Sequence, residues 1–126
     1  MIHLDTSLLV DAFTRDRRSA GRVRAAIESG QRLQVSTIVL YEWLRGPRSP
    51  GELALQETLL PRARAVPFGA EEAAVAADLY RTLRRPRARA TDLAIAACAL
   101  AHGAALWTLN PADFEDVPDL QLYRFR

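Results

Sequence analysis

Apolar and polar positions along this chain fall into short blocks whose period keeps changing. Ile2-His3-Leu4 is a brief apolar opening that stops at Asp5-Thr6-Ser7, after which Leu8-Leu9-Val10 and Ala12-Phe13 recur as a helix would place them. The pattern predicts a strand and then a helix begun by a polar cap. From Ser19 to Ser29, Val23 and Ile27 sit at helical spacing with arginines on the other face, and Gly30 closes the segment. Leu33 to Ser36 alternates like a short strand, and Thr37 to Arg45 resumes a helix stopped by Gly46-Pro47. Pro50 to about Arg64 is again helical, with Pro61 breaking or kinking it. Ala65-Val66-Pro67-Phe68 is a weak strand candidate, and Ala70 to Arg84 a clear helix, apolar at Ala73, Ala76, Ala77 and Tyr80. Arg85-Pro86-Arg87 interrupts the chain. Ala90 to Ala101 is helical and apolar almost all round, which predicts burial on most sides. Gly103 caps it, Ala105 to Thr108 follows as a buried strand, Asn110-Pro111 opens a turn, and Leu120 to Tyr123 is a last strand.

Strands alternating with helices imply a single α/β domain spanning residues 1–126, with a mostly parallel sheet of roughly four or five short strands covered by helices. In such sheets ligands bind at the carboxyl ends of the strands. Asp5 and Asn110, which follow the first strand and the one ending at Thr108, both fall at that edge.

Composition narrows the chemistry. With 126 residues, 49% hydrophobic and 25% charged, one packed domain is expected. No apolar run reaches the roughly 20 residues of a membrane span, and the first residues lack the features of a signal peptide, so the cytoplasm is the expected compartment. Cys98 is the only cysteine and is expected to be a small buried thiol; His3 and His102 are too far apart for a paired-histidine zinc motif. All 17 basic residues are arginine. A Walker-type phosphate loop and a lysine Schiff base are thereby excluded. Bidentate phosphate contacts remain open, although an arginine-favouring base composition would give the same bias.

Three acids sit where apolar residues dominate. Asp5 ends an apolar strand, Glu42 lies within Ile38-Val39-Leu40-Tyr41-Glu42-Trp43-Leu44, and Asp92 opens the apolar run Leu93 to Leu100. Each has an ordinary explanation: a helix cap for Asp5, an exposed helical stripe for Glu42, and a first-turn acid favoured by the helix dipole for Asp92. Taken together, carboxylates converging on one strand edge repel one another and need a cation among them. Ligation by oxygen alone selects a hard ion, Mg²⁺ or Mn²⁺, which meets substrates through phosphate oxygens. Phosphodiester hydrolysis is the natural chemistry.

The segments Ile2 to Ser7, Ser36 to Gly46, Ala90 to Ala97 and Leu106 to Phe114 resemble, in order, those of PIN-domain nucleases, and within them the VapC-type toxins of toxin–antitoxin pairs. The resemblance implies a PIN fold, Mg²⁺ or Mn²⁺ dependence and endonucleolytic RNA cleavage leaving a 5′-phosphate. It carries the acidic positions onto Asp5, Glu42 and Asp92. At the fourth position Asn110 stands in place of the usual Asp, with Asp113 close behind, and either can fill it. Thr6, Ser7 and Thr108 match small hydroxyl residues of the family, with helix capping the expected role of Thr6 and Ser7. An antitoxin that blocks the acidic pocket and a homodimer are also implied.

Arg81, Arg84, Arg85, Arg87 and Arg89 lead into Asp92 and are candidates for RNA backbone contacts, a solvated loop being the alternative. Tyr41 and Trp43 could stack on a base, with core packing the expected role. Two rival readings are an aspartyl-phosphate phosphoryl-transfer domain, disfavoured by the absence of lysine, and a catalytically idle PIN module that only binds.

Overall fold

Strand β1 (Ile2–Leu4) is the centre of a three-stranded parallel sheet ordered β2-β1-β3, with β2 at Leu33–Gln34 and β3 at Ala105–Trp107. The computed structural model describes residues 1–14 and 18–125. Ile2 pairs with Leu33 on one side and Ala105 on the other, and Leu4 pairs with Trp107. All three β1 residues are buried, as a strand covered on both faces requires.

Among the described residues six α-helices surround the sheet: α1 (Thr6–Phe13), α2 (Ala20–Glu28), α3 (Thr37–Arg45), α4 (Pro50–Leu59), α5 (Ala70–Thr82) and α6 (Ala90–Ala101). Their limits follow local chemistry. Ser36 caps α3 by accepting from the Val39 amide at 3.2 Å. Ser49 and Glu52 form a reciprocal capping box on α4, with Pro50 in the first turn. That helix ends at Leu59, and after Pro61 only a 3₁₀ turn (Arg62–Arg64) follows, so Pro61 breaks the predicted segment rather than kinking it. Gly103, at φ 61°, turns the chain off α6 in the left-handed region.

Two predicted strands shrink to single parallel bridges, Ser36 with Val66 and Leu106 with Leu122, so the sheet is smaller than the sequence suggests. At the first, Pro67 has no amide to extend the ladder. At the second, the backbone bonds between the tail and β3 are confined, among the described residues, to Leu106, whose amide donates to the Gln121 carbonyl and whose carbonyl accepts from the Tyr123 amide.

The core joins Leu8, Leu9 and Phe13 of α1, Trp43 of α3, and Leu93 and Ile95 to Ala99 of α6 around the strands. Trp43 is fully buried, edge-on to Phe13 and under the Arg48 guanidinium, so its role is packing. Tyr41, by contrast, is 61% exposed. Cys98 is a buried free thiol whose pKa burial pushes up to about 11, far from a reactive thiolate. No helix among the described residues is long and apolar enough to cross a membrane.

Candidate active site

Strand β1 delivers Asp5 to the carboxyl edge of the sheet, where its amide donates to the Trp107 carbonyl at 2.9 Å. The Asp5 carbonyl accepts from the Leu8 and Leu9 amides, so Asp5 occupies the cap position of α1 through its backbone while its side chain makes no cap bond. The carboxylate turns toward β3 instead. Its Oδ2 accepts from the Thr108 hydroxyl at 2.7 Å and the Ser7 hydroxyl at 2.9 Å. Those hydroxyls in turn accept from the Asn110 and Leu109 amides, at 3.0 and 3.1 Å. Ser7 and Thr108 therefore tie Asp5 to the segment after β3, a different job from the helix capping expected of Ser7. Asp5 Oδ1 accepts no hydrogen bond among the described residues.

Thr6 likewise is not a side-chain cap. Its hydroxyl donates to Glu42 Oε1 at 2.6 Å, bringing α3 against the start of α1. Arg45, one turn on, makes only a 3.5 Å contact with Glu42 Oε2.

Asp92 lies in the first turn of α6, partly buried and without a hydrogen-bond donor among the described residues. Its pKa is pushed up to about 6, first by burial, then by the negative charges of Asp5, Asp113 and Glu42; the Arg89 guanidinium opposes the shift. Four acids from four parts of the chain thus share one electrostatic neighbourhood. Asp113, in the 3₁₀ turn Pro111–Asp113, joins that field although it is exposed. Asn110 is also exposed and is linked to the web through its backbone amide.

Among the described residues no three His, Cys, Asp or Glu are drawn tightly enough to cage a metal ion as they stand. The side chains still suit a hard cation. They offer carboxylate oxygens alone, Asp92 has no donor among the described residues, and mutual repulsion of the acids is what a divalent charge would relieve.

The arginine run divides. Arg81 pairs with Asp78, whereas Arg84, Arg85 and Arg87 are exposed and in no ion pair among the described residues. Arg89 differs from all of them: its guanidinium grips both carboxylate oxygens of Asp116, at 2.6 and 2.8 Å. Nothing in the sequence separates Arg89 from its neighbours, because its partner lies 27 residues further on.

The family model described as the PIN domain matches residues 2–120. Among solved structures, the chain is similar to VapBC2 from Rickettsia felis bound to a promoter DNA fragment, with 23% identity, full coverage of both chains and a TM-score of 0.76. DNA-bound VapBC from Salmonella typhimurium gives 24% identity over 99% of this chain and 98% of that one, with a TM-score of 0.73. A toxin–antitoxin complex from Klebsiella pneumoniae gives 22% identity, 95% of each chain and 0.69. No curated protein sequence matches significantly.

Proposed function

Because the chain belongs to the PIN-domain family, whose members are generally nucleases, we propose that it is a Mg²⁺- or Mn²⁺-dependent endoribonuclease and the toxin of a toxin–antitoxin pair. The observation that carries this reading is Asp92: partly buried, without a donor, and raised to about 6 in the field of Asp5, Asp113 and Glu42. A protein gains nothing structural from four acids at one sheet edge, whereas a cation that must meet a phosphodiester needs them.

On this reading Asp5 and Asp92 hold the ion, with Glu42 and Asp113 completing the acidic surround and Asn110 at its margin. Bound there, the ion supplies a water of lowered pKa and charge neutralisation at the phosphoryl oxygens. The chain's own groups supply position. Ser7 and Thr108 fix the Asp5 carboxylate, and Thr6 fixes Glu42. Arg84, Arg85 and Arg87 offer unpaired guanidiniums to the RNA backbone. An antitoxin partner, homodimerisation and a cytoplasmic site of action complete the proposal, by likeness to the toxin–antitoxin complex from Klebsiella pneumoniae and to the VapBC structures.

The test is cleavage of single-stranded RNA in Mg²⁺ by wild type, Asp5→Asn and Asp92→Asn. Loss of cleavage in both variants, with folding intact, is expected; cleavage at the wild-type rate by either would sink the mechanism. The wider spacing of the acids favours one alternative, a PIN module that binds without cutting. Titration with Mn²⁺ separates the two, since the nuclease requires binding that depends on Asp5 and Asp92.

A further inference from the structure

Arg89 ends the 3₁₀ turn Arg87–Arg89 that leads into α6, three residues before Asp92. Of the five N–H donors on a guanidinium, four are engaged. Nη1 donates to Asp116 Oδ2 at 2.8 Å and to the Arg84 carbonyl at 3.2 Å. Nη2 donates to Asp116 Oδ1 at 2.6 Å and to the Asp113 carbonyl at 2.9 Å. One side chain therefore joins three pieces of backbone: the link from α5, the start of α6, and the segment after β3 that carries Asn110 and Asp113. The arginine side chain is only 18% exposed, which distinguishes it from a solvated surface ion pair.

Its location gives the clamp a purpose. Arg85, next to the carbonyl that Arg89 holds, has φ 51°, a left-handed conformation that a non-glycine residue keeps only under outside constraint. On the other side, the Asp113 carbonyl is held at the residue whose carboxylate enters the field of Asp92. Asp92 and Asp113 belong to elements joined through α6 and β3, and Arg89 closes the gap between them directly.

We propose that Arg89, fixed by Asp116, is a positioning residue that sets the spacing of Asp113 against Asp92, and that it is not one of the RNA-binding arginines. The proposal deepens the nuclease reading and rests on it for its catalytic consequence, but the clamp itself is measurable without catalysis. A planar fork gripping a carboxylate while reaching two carbonyls is a task for arginine that lysine cannot repeat.

The experiment compares wild type, Arg89→Ala, Asp116→Asn and the double variant by three measurements: steady-state RNA cleavage in Mg²⁺, Mn²⁺ titration calorimetry, and amide hydrogen exchange across residues 110–117. Removing a group that orients metal-site residues typically costs about 10–100-fold in affinity or activity. The expected result is a fall of that order in kcat and in Mn²⁺ affinity with KM for RNA within about threefold. Asp116→Asn, which keeps the two carbonyl bonds, should move in the same direction by less than Arg89→Ala, and the double should be no worse than Arg89→Ala. Faster exchange of the Phe114 and Val117 amides should accompany both. An RNA-contact role predicts the reverse: KM rises for Arg89→Ala, kcat holds, and Asp116→Asn is silent. That pattern, or unchanged exchange and Mn²⁺ affinity in folded variants, overturns the proposal. Should Arg89→Ala fail to fold, Asp116→Asn alone decides, since it removes the bidentate charge-assisted part of the grip at a half-exposed partner. If wild type cuts no RNA, the nuclease reading fails while hydrogen exchange still tests the clamp.

Discussion

His3 offers a quantitative test of how the middle of the sheet is built. It occupies the central position of the central strand, is 2% exposed, and neither ring nitrogen has a hydrogen-bond partner among the described residues. Burial is the first cause that lowers its pKa from 6.5 to about 4, followed by the charges of His102, 5.9 Å away between ring centroids, and of the N-terminal amino group. Its folded pKa lies below its unfolded one, so protonation favours the unfolded chain. Stability is intact above about pH 6.5 and declines as pH falls toward 4. At ~1.4 kcal/mol per pK unit, the loss between pH 7 and 4.5 amounts to about 2–3 kcal/mol.

Asp92 acts in the opposite sense. Its raised pKa means that protonation near pH 6 and below stabilises the folded form, so the total pH profile of the wild type mixes two opposed contributions. Glu72, whose carboxyl is held below its usual value first by hydrogen bonding to its own backbone, adds a third. The decisive quantity is therefore a difference: urea unfolding of wild type and His3→Leu, in chelator, from pH 7.5 to 4.5. Leucine fills a similar volume and leaves no buried nitrogen, so the variant should be at least as stable as wild type at pH 7. Its advantage should widen by about 2–3 kcal/mol on acidification. A difference that stays flat below pH 6.5 would refute the account of a neutral, partnerless histidine.

Two further outcomes follow from the site. Thr108→Val removes the 2.7 Å bond to Asp5 without changing shape much; it should cost about 1–2 kcal/mol of stability and slow RNA cleavage by about 10–100-fold, with Thr108→Ser restoring both. Wild-type cleavage by Thr108→Val would remove Thr108 from the support of Asp5. Replacing Arg84 and Arg87 together by Gln should weaken RNA binding and flatten its dependence on log salt by about 0.7 for each lost phosphate contact. An unchanged slope in fluorescence anisotropy would place the RNA elsewhere.

What the sequence made legible depends on how far a signal has to reach. The apolar run of α6 and the change of period at Asp5 are local, and both elements lie where the pattern predicts them. The weak candidate at 65–68 and the last strand expected at 120–123 each contribute one bridge, because pairing there depends on a partner strand that the local pattern does not specify. Asp5, Glu42 and Asp92 stood out because a carboxylate is conspicuous among apolar residues, and the structure brings their charges together. Between Asn110 and Asp113 the sequence offered no choice; only the fold shows that the charge of Asp113 reaches Asp92. Thr6, Ser7 and Thr108 were visible as hydroxyls but not as holders of particular acids, since two of their bonds span 36 and 103 residues. Arg89 was hidden for a related reason. Its neighbours have the same side chain, and its partner is decided by tertiary structure alone.

The strand order has a consequence for synthesis. β1 is made before its neighbour β3, and Thr108 lies 103 residues after the Asp5 it holds. A nascent chain on the ribosome carries Asp5 and Glu42 long before the groups that hold and complete the acidic edge have been translated. Under the nuclease reading proposed above, the domain would be inert until that edge is assembled. The acidic edge can be complete only after the segment through Thr108 has emerged.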